Sequence, residues 1–427
     1  MIFLILSMIL LILFGVRIAY ALGISASLYI VFYTDISVLA VGQLITLGSD
    51  SIIMVALPFF LLAGELMNAG GITARLVRFA MALIGNVSGG LSFVVIITNM
   101  IMAAVSGAAI ASGAAVGSVM IPAMEKSGYN KGYSGAVNAA AATIGPVIPP
   151  SIGFIIFASV SNASIGKLFV AGTLPGILLG ILMMILSFIL SRIRKYPKGP
   201  KRNSKELFQS FKSAFWSLMM PVIIIGGIMS GIVTATEAGV LAVIYGLLIS
   251  LFVYKSIRLQ DLPLILYRTA KQTARIMLII ASAYAFGWII SREVDPELFI
   301  TGFLSFSDQK WLFLLVVILI ILLLGTVMEG GSIMIILTPL LLPILLKFNI
   351  DIIHFGVIFQ LAIMVGLLTP PIGILLFVIS GSGNMSVNDI LKEIWPFYIV
   401  LLIVLFLCAY IPEIPLFLVN ILENRLK

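Results

Sequence analysis

Thr143-Ile144-Gly145-Pro146-Val147-Ile148-Pro149-Pro150-Ser151 is the stretch on which the fold turns. It sits inside the long apolar run Ala136–Ser159. A proline has no amide donor and its ring clashes with the preceding helical turn, so the helix must break here. In a bilayer core no water repairs the freed carbonyls, and irregular backbone survives only where protein or a cavity covers it. A second break of the same kind, Gly366-Leu367-Leu368-Thr369-Pro370-Pro371-Ile372-Gly373, interrupts the apolar run Gly356–Ser380.

The two breaks are in register. A shift of 221 places Pro122 on Pro343, Lys126 on Lys347, Gly135 on Gly356 and Gly145 on Gly366. The same shift places Pro149 and Pro150 on Pro370 and Pro371, and Pro175 on Pro396, without a gap. Proline accounts for only 18 of 427 residues, so chance is a poor explanation. A fixed internal period marks a duplicated unit. The chain therefore reads as a first repeat half, 1–191, a basic linker with an interfacial helix, 192–217, and a second repeat half, 218–427.

Composition agrees with a membrane setting. Hydrophobic residues make up 61% and charged residues 10% of the chain, and the mean hydropathy is +1.23. A soluble domain carries roughly 25% charged residues. A soluble enzyme, a nucleic-acid binder and a disordered chain are excluded as default readings. The net charge of +8 is uneven: Arg192, Arg194, Lys195, Lys198, Lys201, Arg202 and Lys205 share one segment without an acid. Short Lys/Arg-rich loops stay cytoplasmic, which fixes the expected orientation.

A hydrocarbon core needs roughly 20 apolar residues per crossing helix. Candidate spans are Met1–Val16, Ile18–Tyr33, Ile52–Met67, Leu91–Val105, Leu168–Leu190, Leu218–Ile232, Ala238–Tyr254, Ile276–Ile290, Leu312–Met328 and Ile394–Ile411. With the two broken runs, the expected total is on the order of 11–12 crossings or part-crossings. Met1–Phe14 lacks the basic start and cleavage site of a signal peptide and reads as a membrane helix. Glu206–Trp216 is amphipathic and reads as an interfacial helix.

Small residues precede each break: Ser106–Ala115 in the first half, and Gly325–Ser332 in the second. They permit close backbone approach and suit re-entrant hairpins near 103–125 and 325–347. The broken helices are expected near 136–160 and 356–380. Paired interrupted helices at matching positions of two halves point to the binding site of a secondary transporter. Carbonyls freed at such breaks are hard oxygen ligands suited to a small cation such as Na⁺. Half-helix N-termini and nearby hydroxyls could meet an anionic substrate, which makes Ser106, Ser151 and Thr369 the substrate candidates.

The run Ser106–Gly117, the segment Met124–Tyr129, Ile148-Pro149-Pro150-Ser151, Thr234-Ala235-Thr236-Glu237-Ala238-Gly239 and Thr369-Pro370-Pro371 resemble the large membrane subunit of tripartite ATP-independent periplasmic (TRAP) transporters. The resemblance covers nearly the whole chain. It implies an all-α integral membrane protein with two inverted-topology repeats, re-entrant hairpins and Pro-broken helices, divided into a scaffold and an elevator-type transport domain. It implies Na⁺-coupled import of an organic acid, a C4-dicarboxylate or a sialic acid, across the bacterial inner membrane. The implied partners are a small four-helix membrane subunit and a periplasmic substrate-binding protein. By motif, one Na⁺ site would use Ser106, Gly145, Ile148 and Pro150, and the other Gly325, Gly366 and Thr369. Main-chain carbonyls would supply most ligands, with no cofactor beyond Na⁺ as the coupling ion.

Rival functions are constrained by single residues. His354 is the only histidine and Cys408 the only cysteine, which excludes a multi-His/Cys zinc site and an intrachain disulfide. No Walker phosphate loop occurs, so the energy source is external. An intramembrane enzyme would need a paired-acid, Ser-Lys or His-based set, and none stands out. A stand-alone divalent-anion/Na⁺ symporter would share the two-half plan without partners. Among the acids, Glu65, Glu125, Glu237 and Glu329 lie in or beside apolar segments and are candidates by default. Glu237 suits a helix start, and Glu329 a cavity wall. Arg292, Glu293 and Asp295 read as a charged helix end, and His354 as a loop-end residue beside Asp351.

Overall fold

The computed structural model describes residues 2–50, 52–84, 87–198, 203–293, 309–326 and 328–426. Met1, Lys201, Arg202, Asp295 and Val327, which figure in the readings above, lie outside the described residues. The described chain is helical, with one isolated bridge between Ser88 and Lys198. Its first half comprises α1 (Ile2–Leu13), α2 (Ile18–Tyr33), α3 (Leu39–Ser49), α4 (Ile52–Ala69), α5 (Ile72–Ile84), α6 (Gly90–Ser106), α7 (Ala109–Lys126), α8 (Lys131–Ala142), α9 (Ile152–Ser161) and α10 (Ile165–Ile193). There follow α11 (Ser204–Met229), α12 (Ala235–Leu248), α13 (Leu262–Glu293), α14 (Lys310–Gly325), α15 (Gly330–Lys347), α16 (Ile352–Gly366), α17 (Ile374–Gly383), α18 (Val387–Tyr410) and α19 (Glu413–Leu426).

Helix starts are set by side-chain caps. Asn130 accepts from the Tyr133 amide and Asp351 from the His354 amide, at positions that the shift of 221 pairs. An oxygen at this position satisfies one of the amides that a helix start leaves open. Thr234 and Glu237 form a reciprocal capping box at the start of α12, which gives Glu237 its structural task. Helix bounds also recur at the shift of 221: α7 maps onto α15 end to end, and the starts of α8, α9 and α10 fall within one residue of those of α16, α17 and α18. Both Pro149–Pro150 and Pro370–Pro371 are cis.

Contacts at the two ends of the bundle trace the chain. At the basic-loop end, Arg194 pairs with Glu393 at 2.5 Å, and the Tyr129 hydroxyl donates to the Pro197 carbonyl at 3.1 Å. At the other end, Lys167 pairs with Glu423, and the Tyr410 hydroxyl donates to the Trp311 carbonyl. Thus α8–α9 runs away from the basic loop, while α16–α17 runs toward it.

These contacts refine several expected spans. Both arms of α6–α7 begin and end at the basic loop, near Ser88 and Tyr129. Both arms of α14–α15 meet at the opposite end, where Phe313 stacks on Phe348 at 5.1 Å. Leu91–Val105 and the described part of Leu312–Met328 are thus the first arms of two helical hairpins, α6–α7 and α14–α15. Among the described residues, six helices are long and apolar enough to cross, or seven if the bent pair α3–α4 counts as one span. The shorter apolar helices make the part-crossings. A further correction concerns the linker: Glu206–Trp216 and the expected span from Leu218 form one continuous helix, α11, because no breaker lies between them and Pro221 is accommodated inside it. His354 is not at a loop end but in the first turn of α16, buried, with its Nε2 2.7 Å from the Cys408 carbonyl oxygen.

Candidate functional site

The first hairpin turns at Gly107, whose φ of +61° is the left-handed conformation that glycine adopts without penalty. Its amide donates to the Ala103 carbonyl at 2.9 Å and closes α6. A methyl group on Gly107 would lie 2.4 Å from the Pro150 carbonyl oxygen. A methyl on Gly145 would lie 3.3 Å from the Ser112 hydroxyl and 3.5 Å from the Ala108 carbonyl carbon. The tip of the first hairpin is thus pressed against the first break.

That break is wholly buried from Thr143 to Ser151. Short turns use the carbonyls of Ala140, Ala141, Ala142 and Ile144. Ser151 donates to the Pro146 carbonyl at 2.5 Å and accepts from the Phe154 amide, so it braces the break and caps α9 together. Among the described residues, the carbonyls of Gly145, Val147, Ile148, Pro149 and Pro150 receive no protein donor. Buried acceptors in that state call for a cation or water.

The second break is built differently. Gly325 of α14 and Gly366 of α16 touch backbone to backbone; a methyl on Gly366 would lie 2.7 Å from the Gly325 Cα. The Gly373 amide reaches the Thr326 carbonyl at 3.3 Å, tying the hairpin to the break. Here the carbonyls of Gly366, Leu367 and Leu368 accept from the Thr369 amide, the Leu375 amide and the Tyr398 hydroxyl respectively. Pro370, Pro371 and Ile372 are exposed.

Between the two hairpin tips lies a cavity of about 280 Å³. Its polar groups come from Glu329 at the second tip, Gln360 on α16 and Gln272 on α13; Gly107, Pro146 and Gly330 complete the floor. A larger vestibule of about 1090 Å³ shares Gln272, Ile276 and Glu329 with it, so the two spaces adjoin.

Comparison with known proteins identifies the architecture. Residues 5–414 match the family described as the tripartite ATP-independent periplasmic transporter, DctM component. The chain belongs to the DctM family. This DctM-family protein is 38% identical to the C4-dicarboxylate TRAP transporter large permease protein DctM of Pseudomonas aeruginosa, over 94% of both chains. It is 37% identical to the sialic acid TRAP transporter large permease protein SiaM of Vibrio cholerae, over 95% of both. The fold is also similar to the crystal structure of the Alcanivorax borkumensis YdaH transporter, with a TM-score of 0.61, 14% identity and 86% coverage of each chain. The DctM-family protein is accordingly an integral membrane protein whose relatives are transporter permeases, in agreement with the reading that it is not an enzyme.

Within this DctM-family fold, Pro150 packs against Gly107, next to Ser106 in the chain, and Gly145 against Ala108 and Ser112, while the Ile148 side chain packs on Gly176 of α10. Gly325, Gly366 and Thr369 meet at the second tip. The substrate candidates sit beside the cavity rather than in its wall. None of Ser106, Ser151 and Thr369 lines the cavity between the tips. Their hydroxyl hydrogens go to the carbonyls of Met102, Pro146 and Val365, which leaves the oxygen lone pairs as acceptors. The cavity's polar groups, Gln272, Glu329 and Gln360, lie on three separate helical segments, and no sequence spacing joins them. Ser112, beside Gly145, sits in a run whose small residues give no separate signal for it.

Proposed function

We propose that this chain is the large permease of a Na⁺-driven TRAP importer for a small organic acid. The acid would be handed over by a periplasmic substrate-binding protein, with a small four-helix membrane subunit completing the complex in a bacterial inner membrane. The observation that carries the reading is the first break: five buried main-chain oxygens without a protein donor, held against the tip of a hairpin. Hard oxygens in that number suit a small hard cation. Ser106, Gly145, Ile148 and Pro150 would hold one Na⁺, and Gly325, Gly366 and Thr369 a second.

The opposite runs of α8–α9 and α16–α17, and the recurrence of helix bounds at the shift of 221, support two inverted-topology repeats. In that arrangement α6–α10 and α14–α18 carry the sites and move as an elevator against a scaffold formed by α2–α4 and α11–α13. The cavity of about 280 Å³ lies between the two proposed ion sites, so ions that order the tips also build its walls. Its size lies just below the roughly 300–1,000 Å³ common for drug-sized ligands, which favours a small acid. The names of the relatives support C4-dicarboxylates and sialic acids as candidates.

Proteoliposomes with the three proposed components test this. Uptake of succinate or N-acetylneuraminate should require an inward Na⁺ gradient and the binding protein. Thr369→Val should raise the half-saturating Na⁺ concentration several-fold while leaving protein yield unchanged. Uptake that persists with K⁺ in place of Na⁺ would end the Na⁺ reading. Uptake of free substrate by this chain alone would favour a stand-alone symporter instead.

A further inference from the structure

The vestibule of about 1090 Å³ has an uneven wall. Arg268, Lys271 and Arg275 of α13 line it, with Arg17 at the start of α2; the facing acids are Glu65 and Glu329. Residues three and four apart share one helix face, so the three cations of α13 form a single stripe. Among the described residues none of the four cations is ion-paired. Lys271 lies 5.9 Å from the centre of the Tyr267 ring, but like charges in one stripe repel, and an anion between them relieves that repulsion.

The stripe also has a definite side. The basic loop leads into α11, and α12 returns, so α13 starts at the basic-loop end. Arg268 and Arg275 both lie in the first half of α13. Measured from Leu262 at 1.5 Å per residue, they stand roughly 9–20 Å along the axis. Gln272, between Lys271 and Arg275, and Ile276, next to Arg275, line both the vestibule and the inner cavity, so the stripe reaches the mouth of that cavity.

We infer that Arg268, Lys271 and Arg275 form an anion ladder. It draws the carboxylate out of the cavity between the hairpin tips and toward the face of the basic loop. The structure thus has its vestibule open to the releasing side. The assignment of the anion as transported acid rests on the proposed function; the ladder itself does not. Low-dielectric walls around one sign of charge focus the field and raise the local concentration of the opposite ion.

The test needs neither substrate nor a Na⁺ gradient. Cys408 is fully buried, so a thiol introduced by Gln272→Cys reports alone. Full-length protein in vesicles is treated from the basic-loop face with a sulfonate-bearing and a trimethylammonium-bearing methanethiosulfonate. Relative to free cysteine, the anionic reagent should react roughly fivefold faster in about 0.1 M salt. Adding Arg268→Gln, Lys271→Gln and Arg275→Gln together should bring the ratio near one. Lys195→Gln, Lys198→Gln and Lys205→Gln together should leave it unchanged. The ratio should also be equal in phosphatidylcholine and phosphatidylglycerol vesicles. A ratio near one in the parent, a ratio indifferent to the ladder, or one abolished by the loop substitutions overturns the proposal. So does its loss in phosphatidylglycerol, which would mean that lipid headgroups occupy the cations. Failure of succinate or N-acetylneuraminate uptake with the reagent preference intact would count against the transport reading alone.

Discussion

The two breaks share a sequence register and differ in how their carbonyls are satisfied. The first is buried throughout and leaves the oxygens of Gly145, Val147, Ile148, Pro149 and Pro150 without donors. The second gives donors to the carbonyls of Gly366, Leu367 and Leu368 and exposes Pro370 and Pro371. The place of the interruption is therefore the same in both stretches while the chemistry around it differs. Tyr398 marks the divergence: its hydroxyl reaches the Leu368 carbonyl, whereas its counterpart under the shift of 221 is Ile177, which has none to give. The carbonyls of Ile148, Pro149 and Pro150 and those of Thr369, Pro370 and Pro371 alike lack a protein donor among the described residues; the first set is buried, whereas the second is largely exposed.

The largest expected effect lies where the first tip meets the first break. Gly107→Ala places a methyl in the left-handed region and 2.4 Å from the Pro150 oxygen, so tip and break must separate. Transport should fall at least tenfold. Gly381→Ala, in α17 with open space around it, should leave transport near the parent level. Uptake assays on the two variants at equal reconstituted amounts decide the matter; equal activities would show that tip contact is not needed.

The hydroxyls offer a sharper form of the comparison. Ser151 makes two hydrogen bonds in the first break, and Tyr398 contributes one to the second. A buried acceptor that loses its donor costs about 1–3 kcal/mol, and a lost helix cap adds about 1 kcal/mol. In Na⁺-free detergent solution, Ser151→Ala should therefore lower stability more than Tyr398→Phe. Denaturant titration of both variants measures the difference. A larger loss for Tyr398→Phe would reverse the ranking of the two breaks.

Much of this was legible in the residues. Prolines and glycines at a fixed offset located both breaks, because backbone geometry constrains those residue types strongly. The turn at Gly107 was harder to place. Leu91–Val105 is apolar enough for a span, and hydropathy carries no sign that the chain reverses at its end. The hydroxyls of Ser106, Ser151 and Thr369 carry a second task that spacing does not show: in or beside helices, Ser and Thr readily bond a nearby carbonyl, and all three do so here. The stripe Arg268, Lys271 and Arg275 was present at helical spacing, but its direction into a vestibule depends on the packing of α2, α4 and α15 around α13.

The smallest effect tests the part of the comparison in which the halves should agree. Asn130 and Asp351 are paired by the shift of 221, and each accepts from the amide three residues on. Their tasks match even though one carries a charge. Losing either cap should cost about 1 kcal/mol. A charged cap also interacts with the helix dipole, which adds about 0.3–1 kcal/mol at an exposed helix start. Asp351→Ala should consequently exceed Asn130→Ala by no more than that increment, and the excess should shrink in high salt. Denaturation midpoints at two ionic strengths provide the reading. If the caps prove equal within that margin, the divergence between the halves is localised at the breaks; if they differ as much as Ser151→Ala and Tyr398→Phe, it extends along the whole of α8 and α16.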